Sequence, residues 1–198
     1  MNLPQVIADT PLAENIIELL EGKVEILPWD TSIDAAAVSV EGIYTYGHCH
    51  VDGSVMDRCS GLKVISNYGV GVDHVDLEAA RERGIPVGNT PDVLNGATAD
   101  MAMALLLAAS RRLIEGDTFA RSSGFTHYDP GYMLGREAHS STIGIIGLGR
   151  IGLQIAQRAV GFEMTILYHN RNPRSDLPAE LNARYVALNE LLEQSDYV

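Results

Sequence analysis

The run TIGIIGLGRIG, Thr142 to Gly152, limits most narrowly what this chain can fold into. A six-residue apolar stretch enters a G-x-G-x-x-G pattern and leaves it into RIGLQIAQRAVG, a helix-spaced segment followed by the strand-like EMTILYHN. The glycines alone would fit an ordinary turn. With a strand before them and a helix and second strand after them, they predict the first βαβ unit of a dinucleotide-binding sheet. Gly147 permits the tight turn, Gly149 lets a pyrophosphate approach the backbone, and Gly152 lets the helix lie close on the strand. Leu148, Arg150 and Ile151 fill the turn, whose helix N-terminus faces the phosphate charge.

In such units an acidic residue about 20 positions beyond the glycines holds the ribose 2′-hydroxyl of NAD. Here the segment reads YHNRNPR, Tyr168 to Arg174, and the strand end carries no carboxylate. Asn170, Arg171, Asn172 and Arg174 stand there instead. Guanidinium groups offer charge-assisted, often bidentate hydrogen bonds to the 2′-phosphate of NADP, so the loop predicts NADPH in preference to NADH. The alternative is a solvated loop whose arginines touch nothing.

Elsewhere the chain alternates strand-like and helix-like stretches, which predicts an α/β fold: a flavodoxin-like domain over residues 1–97 and a Rossmann nucleotide-binding domain over 98–198. The first domain reads as the strands QVIAD, KVEILP, VEGIYTY, LKVISNYG and IPVGNT, with helices in PLAENIIELLE and DLEAARERG. One long apolar helix spans Leu94 to Leu113, and a polar connection follows from Arg121 to Ser141. The second domain stops where its third strand should begin, so the sequence reads as a fragment of a longer protein. The formal charge of −12, with no run of basic residues, argues against nucleic acid. Two cysteines imply a reducing compartment, and MAMALLLAA, the longest apolar run, is far short of the ~20 residues of a membrane span. A cytoplasmic protein is the simplest expectation.

A second site is suggested by NYGVGVDHVDL, Asn67 to Leu77, where a strand end enters a glycine-bearing turn. Ligands of open α/β sheets bind outside the carboxyl ends of the strands, and N–H groups around Val70 and Gly71 could hold a small carboxylate. A plain strand-to-helix turn fits the spacing equally well. His48 and His50 alternate onto one strand face in GHCH, but two ligands do not make a metal site, and none is predicted.

NYGVGVDHVD, GIPVGNTPDVLNGATADMAMALLLAASRRL and STIGIIGLGRIG, in this order, resemble the D-isomer-specific 2-hydroxyacid dehydrogenase family, most closely its glyoxylate/hydroxypyruvate reductase branch. The resemblance implies hydride transfer from NADPH to a small 2-oxo acid, in a cleft between a substrate domain and a nucleotide-binding domain. It assigns Val70 and Gly71 to substrate, Thr98 to the neighbourhood of the nicotinamide, Leu148, Gly149, Arg150 and Ile151 to the pyrophosphate, and Arg171, Asn172 and Arg174 to the adenosine phosphate. The helix from Leu94 to Leu113 resembles the one that builds the family's homodimer. Asp100 and Phe125 depart from the glutamate and tryptophan common in relatives. The arginine, glutamate and histidine of the family's chemistry belong to segments beyond Val198, so no catalytic residue is assigned. Alternatives are a dehydrogenase of 2-ketogluconate or another 2-hydroxy acid, and a non-catalytic, corepressor-like nucleotide sensor.

Overall fold

Short apolar strands, each followed by a crossover, build two separate parallel sheets in a computed structural model that describes residues 3–29 and 39–198. The chain divides into two compact units, Met1–Asp92 and Val93–Val198. The division lies five residues before the expected 97/98 boundary, because the helix that starts at Asn95 belongs with the second unit.

In the first unit β1 (Gln5–Ala8), β2 (Glu25–Pro28), β3 (Val40–Thr45), β4 (Val64–Asn67) and β5 (Val87–Gly88) pair in the order β2-β1-β3-β4-β5, all parallel. This is the flavodoxin-like order. Ile7, Val40, Ile43, Val51 and Ile65 are its fully buried centre. Helix α1 (Glu14–Leu20) lies between β1 and β2 in sequence. Helix α2 (Gly53–Arg58) is capped by Asp52, which accepts from the Val55 N–H, and α3 (Leu77–Glu82) by Asp76, which accepts from the Ala79 N–H. Only six residues long, α2 offers too little periodicity to be read from sequence.

Asp9, just past β1, joins the ends of two strands. Its fully buried carboxylate accepts hydrogen bonds from the Thr45 hydroxyl (2.6 Å) and the N–H groups of Tyr46 (3.0 Å), Gly47 (3.2 Å) and His48 (2.9 Å). Burial pushes its pKa up, but the hydrogen bonds from Thr45, Tyr46 and His48 outweigh that and hold it below the ordinary 3.8.

The second unit begins with α4 (Asn95–Ser110) and α5 (Leu113–Ala120). The helix expected from Leu94 to Leu113 is found as α4, three residues shorter at its end, and a second, unexpected helix follows it. The chain breaks at Arg112, whose φ of 52° is left-handed, while the Ser110 carbonyl accepts from the Arg136 N–H at 2.8 Å. A returning segment thus takes the bond that the next helical turn would have made.

β6 (Thr142–Ile146), β7 (Thr165–His169) and β8 (Arg184–Tyr185) form a parallel sheet in the order β6-β7-β8, and Tyr197 bridges in parallel to Ile143 of β6. The expectation that the domain stops at its third strand is corrected: β8 is that strand, too short for any pattern to announce it. Helix α6 (Arg150–Gly161) buries Gly152, Ala156 and Ala159 along one face, and α7 (Leu188–Gln194) buries Leu191. A Cβ at Gly144 would sit 2.5 Å from Leu191 Cδ2, so α7 closes onto β6 through the glycine.

Replacing the Asp9 carboxylate by an amide, Asp9→Asn, should cost about 2 kcal/mol at pH 7, the scale of a charged hydrogen-bond set left partly unmatched. Because the folded pKa is depressed, the carboxylate's contribution is complete above 3.8 and fades as pH falls through the lower folded value. Urea unfolding of both proteins at pH 7 and pH 3 checks this; an equal difference at the two pH values would refute it.

Candidate functional site

The glycine turn of the second unit has the geometry its sequence demands. Gly147 takes a φ of 98°, open in practice only to glycine, and its N–H donates to the His169 carbonyl at 2.9 Å. A Cβ at Gly152 would overlap the Gly147 carbonyl oxygen and lie 3.2 Å from Ile145 Cγ2. Helix α6 therefore reaches the strand only because residue 152 has no side chain. At Gly149 the situation is opposite: an added Cβ meets nothing within 4 Å. Its missing side chain leaves open space beside the N-terminus of α6, where no side chain caps the helix, in contrast to α2 and α3. First-turn N–H groups and the positive end of the helix dipole suit a phosphate at that position. Arg150 and Ile151 stand in this first turn.

The loop after β7 is tied to the turn. Leu148 is fully buried, its N–H donates to Asn170 Oδ1 at 2.7 Å, and its carbonyl accepts from Arg174 Nη1 at 3.0 Å. Arg174 also forks Asp176, Nε to Oδ1 at 2.8 Å and Nη2 to Oδ2 at 2.6 Å. That pairing raises the guanidinium pKa and lowers the Asp176 carboxyl. Asn170 and Arg174 thus hold the turn in place. Arg171 and Asn172 are exposed, and among the described residues neither makes a hydrogen bond or ion pair. Tyr185 of β8 stacks on His169 with ring centres 5.9 Å apart and donates to the Asn170 carbonyl at 3.2 Å, so the third strand supports the same loop.

Thr98 is exposed on the first turns of α4. Arg158 of α6 fixes those turns by donating to Asp100 Oδ1 at 2.6 Å and to the Gly96 carbonyl at 3.4 Å.

In the first unit, Val70 and Gly71 follow the carboxyl end of β4. Four consecutive carbonyls there are all engaged: Tyr68 by the Thr90 hydroxyl (2.9 Å), Gly69 and Gly71 by Asn67 Nδ2 (2.8 Å each), and Val70 by Asn89 Nδ2 (2.8 Å). Among the described residues the N–H groups of Val70 and Gly71 have no partner. Two unpaired backbone donors in succession offer hydrogen bonds to an anion. Sequence reasoning named the two donors and missed the side chains that set them. Their one signal was three polar residues, Asn67, Asn89 and Thr90, at the ends of two adjacent strands. His48 is mostly exposed beside Tyr46, and among the described residues no three metal-ligating side chains cluster.

A parallel sheet with a glycine turn, an open helix N-terminus and a charged loop at the next strand end defines a dinucleotide-binding α/β protein. The chain belongs to the D-isomer specific 2-hydroxyacid dehydrogenase family; residues 103–198 match its NAD binding domain. A glyoxylate reductase of Thermococcus gammatolerans is 42% identical over 98% of this chain. Among solved structures, a 2-hydroxyacid dehydrogenase from Ketogulonicigenium vulgare is 34% identical with a TM-score of 0.87, over 99% of this chain and 63% of that one. An NADPH-dependent glyoxylate/hydroxypyruvate reductase from Sinorhizobium meliloti, solved with NADP and malonate, is 32% identical with a TM-score of 0.82, over 98% of this chain and 60% of that one. The chain spans 62% of the length of the Thermococcus relative.

Gly152→Ala should force α6 off β6. The expected cost is roughly 1–3 kcal/mol, as for other overpacked sites, and NADPH should no longer raise the melting temperature. Gly149→Ala, whose methyl enters open space, should keep its stability and lose nucleotide affinity. Thermal melts with and without NADPH test the pair; equal stability loss in both variants would contradict the assignment.

Proposed function

We propose that this chain serves the NADPH-dependent reduction of a small 2-oxo acid of the glyoxylate or hydroxypyruvate type. One observation carries the reading: a pair of partnerless N–H groups at Val70 and Gly71, donors of the kind a carboxylate takes, in a chain that also has an open glycine turn at Gly149. The named activities of the Thermococcus and Sinorhizobium relatives support the same chemistry.

The residues fit the cofactor class. Gly147, Gly149 and Gly152 shape the turn, the first turn of α6 with Arg150 and Ile151 faces the pyrophosphate, and Thr98 lies toward the nicotinamide. When bound, the nicotinamide supplies a hydride to the C2 carbonyl of the acid. Val70 and Gly71 hold the substrate carboxylate, which fixes which carbonyl carbon is presented. Arg171, with Asn172 beside it, pairs with the 2′-phosphate. Asn170 and Arg174 act indirectly, by holding Leu148 and so the turn.

The protein works as a homodimer in the cytoplasm. Apolar side chains exposed on α4 and α5 (Met101, Leu105, Leu113 and Ile114) and aromatic ones on the following loop (Phe125, Tyr128) support a self-association face, and free Cys49 and Cys59 suit a reducing compartment. No helix among the described residues is long and apolar enough to cross a membrane.

The protein expressed from its own gene should oxidise NADPH with glyoxylate or hydroxypyruvate, at least tenfold more efficiently than NADH, which corresponds to about 1.4 kcal/mol. Arg171→Ala should remove most of that preference, whereas Arg174→Ala should weaken both cofactors alike. Inactivity with every short 2-oxo acid rejects the substrate class, and an unchanged cofactor ratio in Arg171→Ala rejects the role of the loop.

A further inference from the structure

We infer that Asn67 is the positioning residue of the carboxylate site: its side-chain amide holds the Gly69 and Gly71 carbonyls on either side of the Val70–Gly71 peptide, which turns the Val70 N–H toward the ligand and, with Asn89 on the Val70 carbonyl, fixes the Gly71 N–H beside it. The inference rests on the proposal that those two groups bind the substrate carboxylate.

Asn67 is the last residue of β4 and only 3% exposed. A polar side chain buried this deeply needs its hydrogen bonds made within the protein. Nδ2 makes two, to the Gly69 and Gly71 carbonyls, which flank Val70. Oδ1 is buried and has no partner in the described structure. Leaving an acceptor so disfavours the folded state, and a residue chosen for packing alone would have no amide there. The arrangement follows if what the position requires is a pair of donors aimed at two carbonyls on either side of one peptide. Asn89, holding the Val70 carbonyl from β5's end, completes the set.

The geometry explains why the turn can bind an anion at all. Each carbonyl is a negative dipole end; left free, those of Gly69 and Val70 would rotate toward the ligand in place of the Val70 and Gly71 N–H groups and oppose it. In a planar trans peptide the N–H points opposite to the carbonyl of the preceding residue, so the Gly69 carbonyl held by Asn67 sets the Val70 N–H outward and the Val70 carbonyl held by Asn89 sets the Gly71 N–H outward. Aspartate at 67 would present acceptors to two acceptors, and leucine would fill the space with no donor.

Amide NMR of the 15N-labelled protein during titration with glyoxylate tests this. In the unaltered protein the Val70 and Gly71 amides should shift together, and the Asn67 side-chain NH2 should be protected from solvent exchange. Asn67→Leu should weaken glyoxylate at least tenfold while NADPH affinity, read at the Gly149 amide, is unchanged. Asn89→Ala should weaken it less. If the Val70 and Gly71 amides of the unaltered protein do not respond, the carboxylate site itself is wrong. If they respond and Asn67→Leu binds glyoxylate as before, the positioning role of Asn67 is wrong. Should Asn67→Leu fail to fold, a freely exchanging Asn67 NH2 in the unaltered protein overturns the inference, and a protected one sustains it.

Discussion

The contact between Gly152 and the Gly147 carbonyl is the constraint from which the nucleotide-binding half follows. Overlap with a methyl at 152 means that the helix and the turn share one narrow gap, which only a residue without a side chain fits. Ala156 and Ala159 continue the same small-residue face along α6, so the helix lies flat against β6 and β7. Its N-terminus is thereby held at the end of the sheet, beside the open space at Gly149. A site for phosphate results from packing, before any charged residue is considered.

The first unit reaches a comparable donor site by a different route. There Asn67, Asn89 and Thr90 occupy the carbonyls of the turn. Both sites exploit the same fact, that a peptide whose oxygen is engaged on one side offers its neighbour's hydrogen on the other. A helix satisfies those oxygens through its own ladder. A four-residue turn has no ladder and needs side-chain amides from adjacent strand ends to do the same work. This makes the first site dependent on a few specific side chains, whereas the second depends mainly on the absence of them.

What was legible in the sequence follows the same division. Glycines whose role is to be absent leave a spacing pattern, and Gly147, Gly149 and Gly152 could be assigned from it. Alternating strands of four to six residues likewise announced the flavodoxin-like sheet. Elements set by tertiary bonds left no such mark. The helix that restarts at Leu113 follows a break where Arg136, a residue 24 positions beyond Arg112, takes the Ser110 carbonyl. Strand β8 is two residues, with Tyr185 packed against Tyr168 and His169. The carboxylate at Asp176 lies beyond the window where a ribose-binding acid is sought, yet it folds back to fork Arg174. Periodicity records what repeats along the chain, and none of these contacts repeats.

The charge balance shows why local donors matter here. With a formal charge of −12 the chain as a whole repels anions, and both a 2-oxo acid and a phosphorylated dinucleotide are anionic. At physiological ionic strength that repulsion is screened beyond about 8 Å, so affinity is decided by groups within a contact or two of the ligand. Of the two arginines in the loop, Arg174 is already neutralised by Asp176 and occupied by Leu148. Two cations in sequence therefore do not act as two cations toward a phosphate. One is a strut that fixes the turn, and the charge the loop leaves exposed and unpaired is that of Arg171.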